Sequence, residues 1–310
     1  FMGVSTGTLL VSDKTALERI FTETAGLIAV HAEDEDRMAE RRKLIEGRTD
    51  IAAHAYYRDD ITALMATKLS VELAHKTGHR LHILHLTSGI EADYLNDHCT
   101  LPSMADGYPI ITTEVLPQHL TFDETDVDEH GVRLQMNPPI RYAKDREILW
   151  QRLVDGTIQC IATDHAPHTL EAKSKGFPEA PSGMPGVETS LPVMLNYVNQ
   201  GRCSLEDVTR WMSTNVADCY QMIGKGKLEV GYDGDVVLVD MDYRAVVEDK
   251  NCWARVGWNP FSGRELTGWP VLTVVEGVPV FERSEGTGQK GRILVEPGEV
   301  GKPLLMEPWK

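Results

Sequence analysis

A short apolar run that ends in an aspartate and two histidines constrains this chain more than any other feature of its sequence. Residues 158–162 indicate a buried strand, and Asp164, His165 and His168 follow within six positions. In a barrel of parallel strands, side chains at the carboxyl ends of strands project into the mouth, where chemistry takes place. We therefore predict that Asp164 is the last residue of its strand and faces a site. The alternative is a polar junction between strand and loop, with a capping carboxylate and two exposed histidines.

Two other predicted strands also end in histidine. The runs 27–31 and 81–85 are short and apolar, and their last residues are His31 and His85. Together with Asp164, these strand ends offer the nitrogen and oxygen ligands that zinc accepts. The alternative for either histidine alone is a hydrogen-bonded core residue. Because residues two apart on a strand share a face, we expect His85 to point into the site and His82 to be structural.

The order of apolar patterns along the chain predicts the fold class. Runs of strand length alternate with helically spaced runs as far as about residue 212, which favours an α/β protein with a parallel sheet. From residue 224 the pattern changes to β-branched runs separated by glycine turns, at 228–240 and 269–281. We predict a barrel domain over residues 1–223 and a small β domain with a C-terminal tail over residues 224–310.

The amino-acid composition limits the kinds of molecule that this protein is expected to bind. The 31 basic residues against 47 acidic ones give a formal charge of −16, which argues against a nucleic-acid partner. An anionic substrate must then be held by local positive groups. The five cysteines are widely spaced and lack a Cys-x-x-Cys pair, which favours a reducing, cytoplasmic location. No apolar run of membrane length and no signal segment is present in this sequence, so no membrane partner is expected.

Four segments together resemble dihydroorotase, of the cyclic amidohydrolase group. They are Val-His-Ala-Glu-Asp at 30–34, Asn-Pro-Pro-Ile-Arg at 137–141, Thr-Asp-His-Ala-Pro-His at 163–168, and the Pro-Ser-Gly-Met-Pro-Gly stretch that continues to residue 189. The resemblance runs along the whole chain, and the Asp-His-Ala-Pro-His string is its most specific part. It implies a (β/α)8 TIM-type metal-dependent hydrolase barrel, present here as its C-terminal portion, with a small flanking β-sandwich domain.

The same resemblance implies a reaction and a set of metal ligands. The reaction is the reversible hydrolysis of L-dihydroorotate to N-carbamoyl-L-aspartate in de novo pyrimidine biosynthesis. His31 and His85 are expected on one zinc ion and Asp164 on a second. The remaining ligands, a His-x-His pair and a carboxylated lysine, are expected upstream of Phe1 and outside this chain. Metal binding lowers the pKa of water, and Asp164 would take the proton and hand it to the leaving ring nitrogen.

The resemblance also assigns the substrate contacts. His168 and Asn137 are expected to hydrogen-bond the dihydroorotate, with His168 facing its carboxylate, and backbone groups at Pro181 and Gly183 to hold the ring. The alternatives are that Asn137 is an ordinary turn residue and that the segment around Gly183 is a flexible lid. The remaining histidines, apart from His165, are expected to be surface or loop residues: His54, His75, His79, His98, His119 and His130.

Two other functions stay open at this point. A hydantoinase or allantoinase would share the barrel, but His168 would have little purpose with a substrate that lacks a ring carboxylate. A catalytically inactive dihydroorotase-like subunit could scaffold aspartate transcarbamoylase, although a scaffold has no need of His31, His85 and Asp164. The expected partners are the small-molecule substrate and a second copy of the chain, as a homodimer or higher homo-oligomer, with aspartate transcarbamoylase as a further candidate.

Overall fold

The structure is a computed structural model that describes residues 11, 13–99, 109–284 and 289–306. The chain divides into two compact units, and the division falls between Met184 and Pro185. The predicted domain boundary at 223/224 marks the change in sequence pattern and stays a prediction.

The first unit contains a four-stranded sheet in which all neighbouring strands are parallel. Its strands lie in the order of the chain: β1 (Ile28–Val30), β2 (Leu81–Leu86), β3 (Ile111–Val115) and β4 (Cys160–Ile161). The parallel pairing confirms the prediction made from the alternation of strand and helix patterns. Because neighbouring strands run in the same direction, their carboxyl ends meet at one edge of the sheet.

Helices separate the strands of the first unit, as the alternation of sequence patterns predicted. They are α1 (Lys14–Glu23), α2 (Glu35–Arg42), α3 (Ala52–Tyr57), α4 (Asp60–Thr77), α5 (Gly89–His98), α6 (Pro117–Thr121), α7 (Glu124–His130), α8 (Ala143–Val154) and α9 (Leu170–Lys173). The longest, α4, begins where the side chain of Asp59 accepts a hydrogen bond from the Thr62 amide. It ends at Gly78, whose φ of 68° is the left-handed conformation that glycine adopts most easily.

The core of the first unit lies on the sheet and beneath the helices that cover it. Leu81 and Ile83 of β2 and Val115 of β3 are fully buried. Helices α5 and α8 pack together, and Leu95 and Leu153 are fully buried there. Each such side chain stabilises the fold by about 1.5–3 kcal/mol. The core therefore holds the strand ends in fixed relative positions.

The second unit combines helices with an antiparallel sheet. Its helices are α10 (Ser190–Asn199), α11 (Leu205–Thr209), a π-helical turn (Arg210–Thr214) and α12 (Asn215–Cys219). Ser204 and Asp207 form a capping box at the start of α11. The strands are β5 (Val236–Val246), β6 (Glu265–Val275), β7 (Val278–Glu282) and β8 (Arg292–Ile293), paired in that order.

The second sheet departs from the sequence prediction in the position of its strands. The run predicted at 269–281 divides into β6 and β7, because Glu276 and Gly277 both take positive φ and form the turn of a hairpin. The described part of this unit contributes one sheet, so a β-sandwich stays a prediction. Within the described ranges, no helix combines the length and apolar character that crossing a membrane requires.

Candidate active site

The imidazoles of His31 and His85 meet at the carboxyl edge of the parallel sheet. His31 directly follows β1, His85 lies near the end of β2, and Val30 pairs with Ile83 across the two strands. The Nδ1 atom of His31 lies 3.0 Å from Nε2 of His85. Both side chains are buried, at 1% and 5% exposure. The structure thus brings together two predicted ligands that are 54 residues apart in the sequence.

Glu33 orients the His31 ring. Its Oε2 atom lies 2.7 Å from Nε2 of His31 and also accepts a hydrogen bond from Nη1 of Arg58. Burial alone raises the pKa of Glu33, but the Arg58 charge and the His31 hydrogen bond outweigh it and lower the pKa to about 2. The ionised carboxylate therefore accepts the Nε2–H of His31. This leaves the Nδ1 lone pair directed toward His85, as a metal ligand requires.

His85 and Asp164 share a strained backbone conformation. Their φ angles are 34° and 42°, and the described chain has only two other non-glycine residues with positive φ. Such strain costs about 1–3 kcal/mol per residue and is concentrated at functional sites. Burial, with the nearby His31 and His119, lowers the pKa of His85 well below its usual range, so its imidazole is neutral. Within the described residues, Nδ1 of His85 makes no hydrogen bond.

The prediction that Asp164 is the last residue of its strand is wrong. Strand β4 ends at Ile161, although the amide of Ala162 still bonds to Val115 across the sheet. The left-handed conformation of Asp164 then takes the chain out of the sheet. Burial raises the pKa of Asp164, while His31 lowers it, so the carboxylate lies within electrostatic reach of that imidazole. His165, the neighbour of Asp164, is exposed.

The loop that contains Pro181 and Gly183 is fixed by buried hydrogen bonds. The amide of Gly183 donates to the Gln135 carbonyl oxygen at 2.9 Å, and Nζ of Lys173 donates to the same oxygen at 2.9 Å. The Gln135 side chain donates to Oγ of Ser182 at 3.2 Å. Lys173 is 1% exposed, and burial lowers its pKa to about 7. These contacts favour a rigid loop over the flexible lid considered from the sequence.

Glycine is required at position 183 by its backbone and its surroundings. Its φ is 129°, and a Cβ atom there would overlap the carbonyl oxygen of Ala166. The amide of Ala166 also donates a backbone hydrogen bond to the Met184 carbonyl oxygen, so the loop runs directly against the segment after Asp164. This close approach puts the loop backbone beside the strand-end residues.

Ser182 connects this loop with the two predicted substrate-binding side chains. Nε2 of His168 lies 3.1 Å from the Ser182 carbonyl oxygen. Oγ of Ser182 lies 3.4 Å from Nε2 of His54, which in turn lies 3.1 Å from Oδ1 of Asn137. Asn137, His168 and Gly183 therefore belong to one group of neighbouring residues, and their contact with a substrate stays a prediction.

Two histidines predicted to be surface or loop residues are instead buried. His54 is 4% exposed and His119 is 3% exposed. Burial lowers the pKa of His119 to about 4, and its Nε2 lies 3.2 Å from the Pro138 carbonyl oxygen. The sequence carried one signal for His119, which follows the apolar run of β3 much as His31 and His85 end theirs. No comparable signal marks His54. His82 bonds to Thr112 and Glu114, which confirms its structural role.

The donors in this site suit a divalent transition metal. Two imidazole nitrogens and one carboxylate are ligand types that zinc and related ions accept. Nδ1 of His31 and Nε2 of His85, which face each other, are the two nitrogens that fit such an ion. No three His, Cys, Asp or Glu side chains of the described ranges are close enough to hold a metal by themselves. His31, His85 and Asp164 can therefore supply part of a ligand set.

Comparison with known proteins decides the family. The sequence profile of the Amidohydrolase family matches residues 14–280. The chain belongs to the amidohydrolase family. Among curated amidohydrolase relatives, the dihydroorotase of Halobacterium salinarum is 34% identical over 297 residues, which cover 94% of this chain and 66% of that protein. The dihydroorotase of Methanosarcina mazei is 31% identical, with coverage of 94% and 65%. The chain thus spans about two thirds of the length of these relatives.

Solved amidohydrolase structures resemble the chain over most of its length. The L-hydantoinase (dihydropyrimidinase) of Arthrobacter aurescens superposes with a TM-score of 0.85 at 30% identity, over 95% of this chain and 65% of that one. The dihydropyrimidinase of Brevibacillus agri gives a TM-score of 0.80 at 26% identity, with coverage of 90% and 62%. The chain therefore shares its fold with the hydantoinase and dihydropyrimidinase structures.

Proposed function

We propose that the protein containing this chain is a metal-dependent dihydroorotase, which interconverts L-dihydroorotate and N-carbamoyl-L-aspartate in pyrimidine biosynthesis. The observation that carries the proposal is the buried contact between Nδ1 of His31 and Nε2 of His85, within electrostatic reach of Asp164. Dihydroorotases are the curated relatives at 31–34% identity. Together these favour hydrolysis of a cyclic amide at the carboxyl edge of the sheet.

The proposed architecture is a (β/α)8 TIM-type barrel with a flanking β-sandwich. The four parallel strands would be part of that barrel, and residues 224–310 would belong to the small domain. Support comes from the parallel order β1–β4 and from the likeness to the L-hydantoinase structure. Segments outside this chain would then supply the remaining strands.

The proposed cofactor is zinc, with two ions per site. His31 and His85 would hold one ion and Asp164 the other, completed by the His-x-His pair and carboxylated lysine expected upstream of this chain. A bound zinc ion lowers the pKa of water to about 7 and polarises a carbonyl oxygen. Glu33 keeps Nδ1 of His31 available as a ligand by accepting a hydrogen bond from its Nε2–H.

Residues of this chain then transfer the proton and bind the substrate. A carboxylate oxygen of Asp164 takes the proton from the attacking water and delivers it to the ring nitrogen as the carbon–nitrogen bond of the cyclic amide breaks. His168 and Asn137 hold the substrate, with His168 at its carboxylate. The rigid backbone at Pro181 and Gly183 holds the ring, which makes the attack effectively intramolecular.

Hydantoin hydrolysis is the second candidate, because the L-hydantoinase superposes on 95% of the chain. His168 discriminates between the two, since a hydantoin ring lacks the carboxylate that this imidazole would contact. We expect His168→Ala to raise the KM for dihydroorotate by about 10- to 100-fold, as for loss of a hydrogen bond to a charged group. An unchanged KM would contradict the proposed substrate, and faster turnover of hydantoin by the unaltered protein would favour the second candidate.

The test of the whole proposal is made on the complete protein. Purified protein is assayed with dihydroorotate, carbamoyl aspartate and hydantoin, and its metal content is measured by elemental analysis. We expect interconversion of the first two and at least one zinc ion per chain. Protein with less than one metal per chain and no turnover would contradict the enzyme and favour an inactive scaffold for aspartate transcarbamoylase. Sedimentation analysis tests the proposed homo-oligomer, and cell fractionation the proposed cytoplasmic location.

A further inference from the structure

His54 contacts the side chain of Asn137. It is on the short helix α3, is 4% exposed, and places Nε2 3.1 Å from Oδ1 of Asn137. The same nitrogen is 3.4 Å from Oγ of Ser182. Asn137 is half-buried, and its amide nitrogen makes no hydrogen bond within the part of the chain that the structure describes. The oxygen of the Asn137 amide is therefore in contact with His54, while its NH2 group is available to a ligand.

The surroundings of His54 determine which of its nitrogens carries hydrogen. Burial lowers the pKa of His54 to about 3, and the Arg58 charge adds to this effect. The ring is consequently neutral at physiological pH and has a single N–H. Nε2 faces Oδ1 of Asn137, which can only accept a hydrogen bond, so a lone pair on Nε2 would be repelled. The Oγ of Ser182 already accepts a hydrogen bond from Gln135.

We propose that His54 donates Nε2–H to Oδ1 of Asn137 and so fixes the amide with its NH2 group toward the substrate. His54 is then a positioning residue, and Asn137 acts only as a hydrogen-bond donor. The substrate class follows from this polarity, because a donor at this point selects a carbonyl or carboxylate oxygen and disfavours a ring N–H. The identity of the substrate as dihydroorotate rests on the proposed function.

The opposite orientation of the Asn137 amide would select a different group on the substrate. If Nδ2 of Asn137 instead donated to a bare Nε2 of His54, the amide oxygen would face the substrate and select an N–H group. With the proposed orientation, aspartate at position 137 removes the donor and sets a negative charge against an anionic ligand, so a normal KM would be incompatible with it. Because that charge also acts in the reversed orientation, the tautomer of His54 is what separates the two.

Kinetics on the complete protein test the orientation. We expect Asn137→Asp to raise the KM for dihydroorotate by at least 100-fold, and His54→Ala to raise it about 10-fold with a smaller effect on kcat. His54→Gln, which retains a donor, should recover much of the loss. His98→Ala, which removes an exposed imidazole, is the control and should behave as the unaltered protein. A normal KM for Asn137→Asp or for His54→Ala would overturn the proposal.

A spectroscopic measurement separates this proposal from the proposed function. Long-range ¹H–¹⁵N correlation on histidine-labelled protein reports the tautomer of each imidazole without any substrate. We expect His54 to be the Nε2–H tautomer and to stay neutral from pH 5 to 9. An Nδ1–H tautomer, or titration near pH 6.5, would overturn the arrangement. If the protein does not turn over dihydroorotate, the proposed function fails while this measurement still decides how His54 holds Asn137.

Discussion

Glu91 provides the sharpest test of the electrostatics in this fold, because it is a carboxyl group buried between helices. It lies on α5 at 2% exposure and accepts a hydrogen bond from the Thr67 hydroxyl of α4. Burial raises its pKa from 4.5 to about 7, against the opposing effects of Thr67, Arg141 and a backbone amide. A raised pKa means that the folded state binds this proton more tightly than the unfolded chain does.

The direction and size of the effect follow from this shift. The contribution of Glu91 to the unfolding free energy is fully present below pH 4.5, where its carboxyl group is protonated in both the folded and the unfolded chain. This contribution is lost as the pH rises through about 7. At 1.36 kcal/mol per pKa unit, the loss amounts to about 3 kcal/mol between pH 4.5 and 8. Glu91→Gln keeps the shape of the neutral acid and cannot ionise. We therefore expect the variant to be more stable than the unaltered protein at pH 8, by about 1–3 kcal/mol.

The assay is urea unfolding of both proteins at intervals from pH 5 to 9, followed by tryptophan fluorescence. The difference in unfolding free energy between the two proteins isolates Glu91 from other titrating groups. Glu129→Gln on α7 is the control, since Glu129 is exposed. A difference that stays constant across this pH range would refute the reasoning, because it would mean that Glu91 ionises in the folded state as easily as in the unfolded chain.

Two further predictions concern the site. Glu33→Gln removes the carboxylate that orients His31, so we expect zinc affinity, measured by chelator competition on the complete protein, to fall about 10- to 100-fold. Asp36→Asn, at an exposed position of α2, should leave it unchanged, and equal affinity in Glu33→Gln would contradict the orienting role. Gly183→Ala should lower the unfolding free energy by about 1–3 kcal/mol, because alanine is strained at the φ of 129° found there. Overlap of the added methyl group with the Ala166 carbonyl oxygen should add to this loss. Thermal unfolding checks this, and an unchanged melting temperature would show that the loop can relax.

The strand-end residues could be predicted from sequence because their pattern is local. Each apolar run identifies a strand, and parallel strands bring their ends together, so the meeting of His31 and His85 follows from the order of elements alone. The position of Asp164 beyond β4 could not be predicted. It depends on a left-handed backbone conformation that sequence pattern favours for glycine rather than aspartate.

The buried positions of His54 and His119 show what local pattern leaves out. Both lie on helices of five or six residues, α3 and α6, which are too short to show a clear apolar face. Their burial is a tertiary effect of segments distant in sequence, such as the Asn137–Pro138 loop that each of them contacts. The start of β5 at Val236 rather than 228 has a similar origin, because only pairing with β6 defines where the strand begins.

The hydrogen bonds that converge on Ser182 have a consequence for how such an enzyme could acquire a new specificity. His168 and Gln135 bond to this residue through its carbonyl and its hydroxyl, and Nε2 of His54 lies 3.4 Å from the same hydroxyl. Substitutions at the three positions should therefore be strongly epistatic, with double-variant effects that differ from the sum of the single ones. Evolution of a new specificity in the proposed enzyme would then proceed through coordinated changes around Ser182 rather than through independent steps.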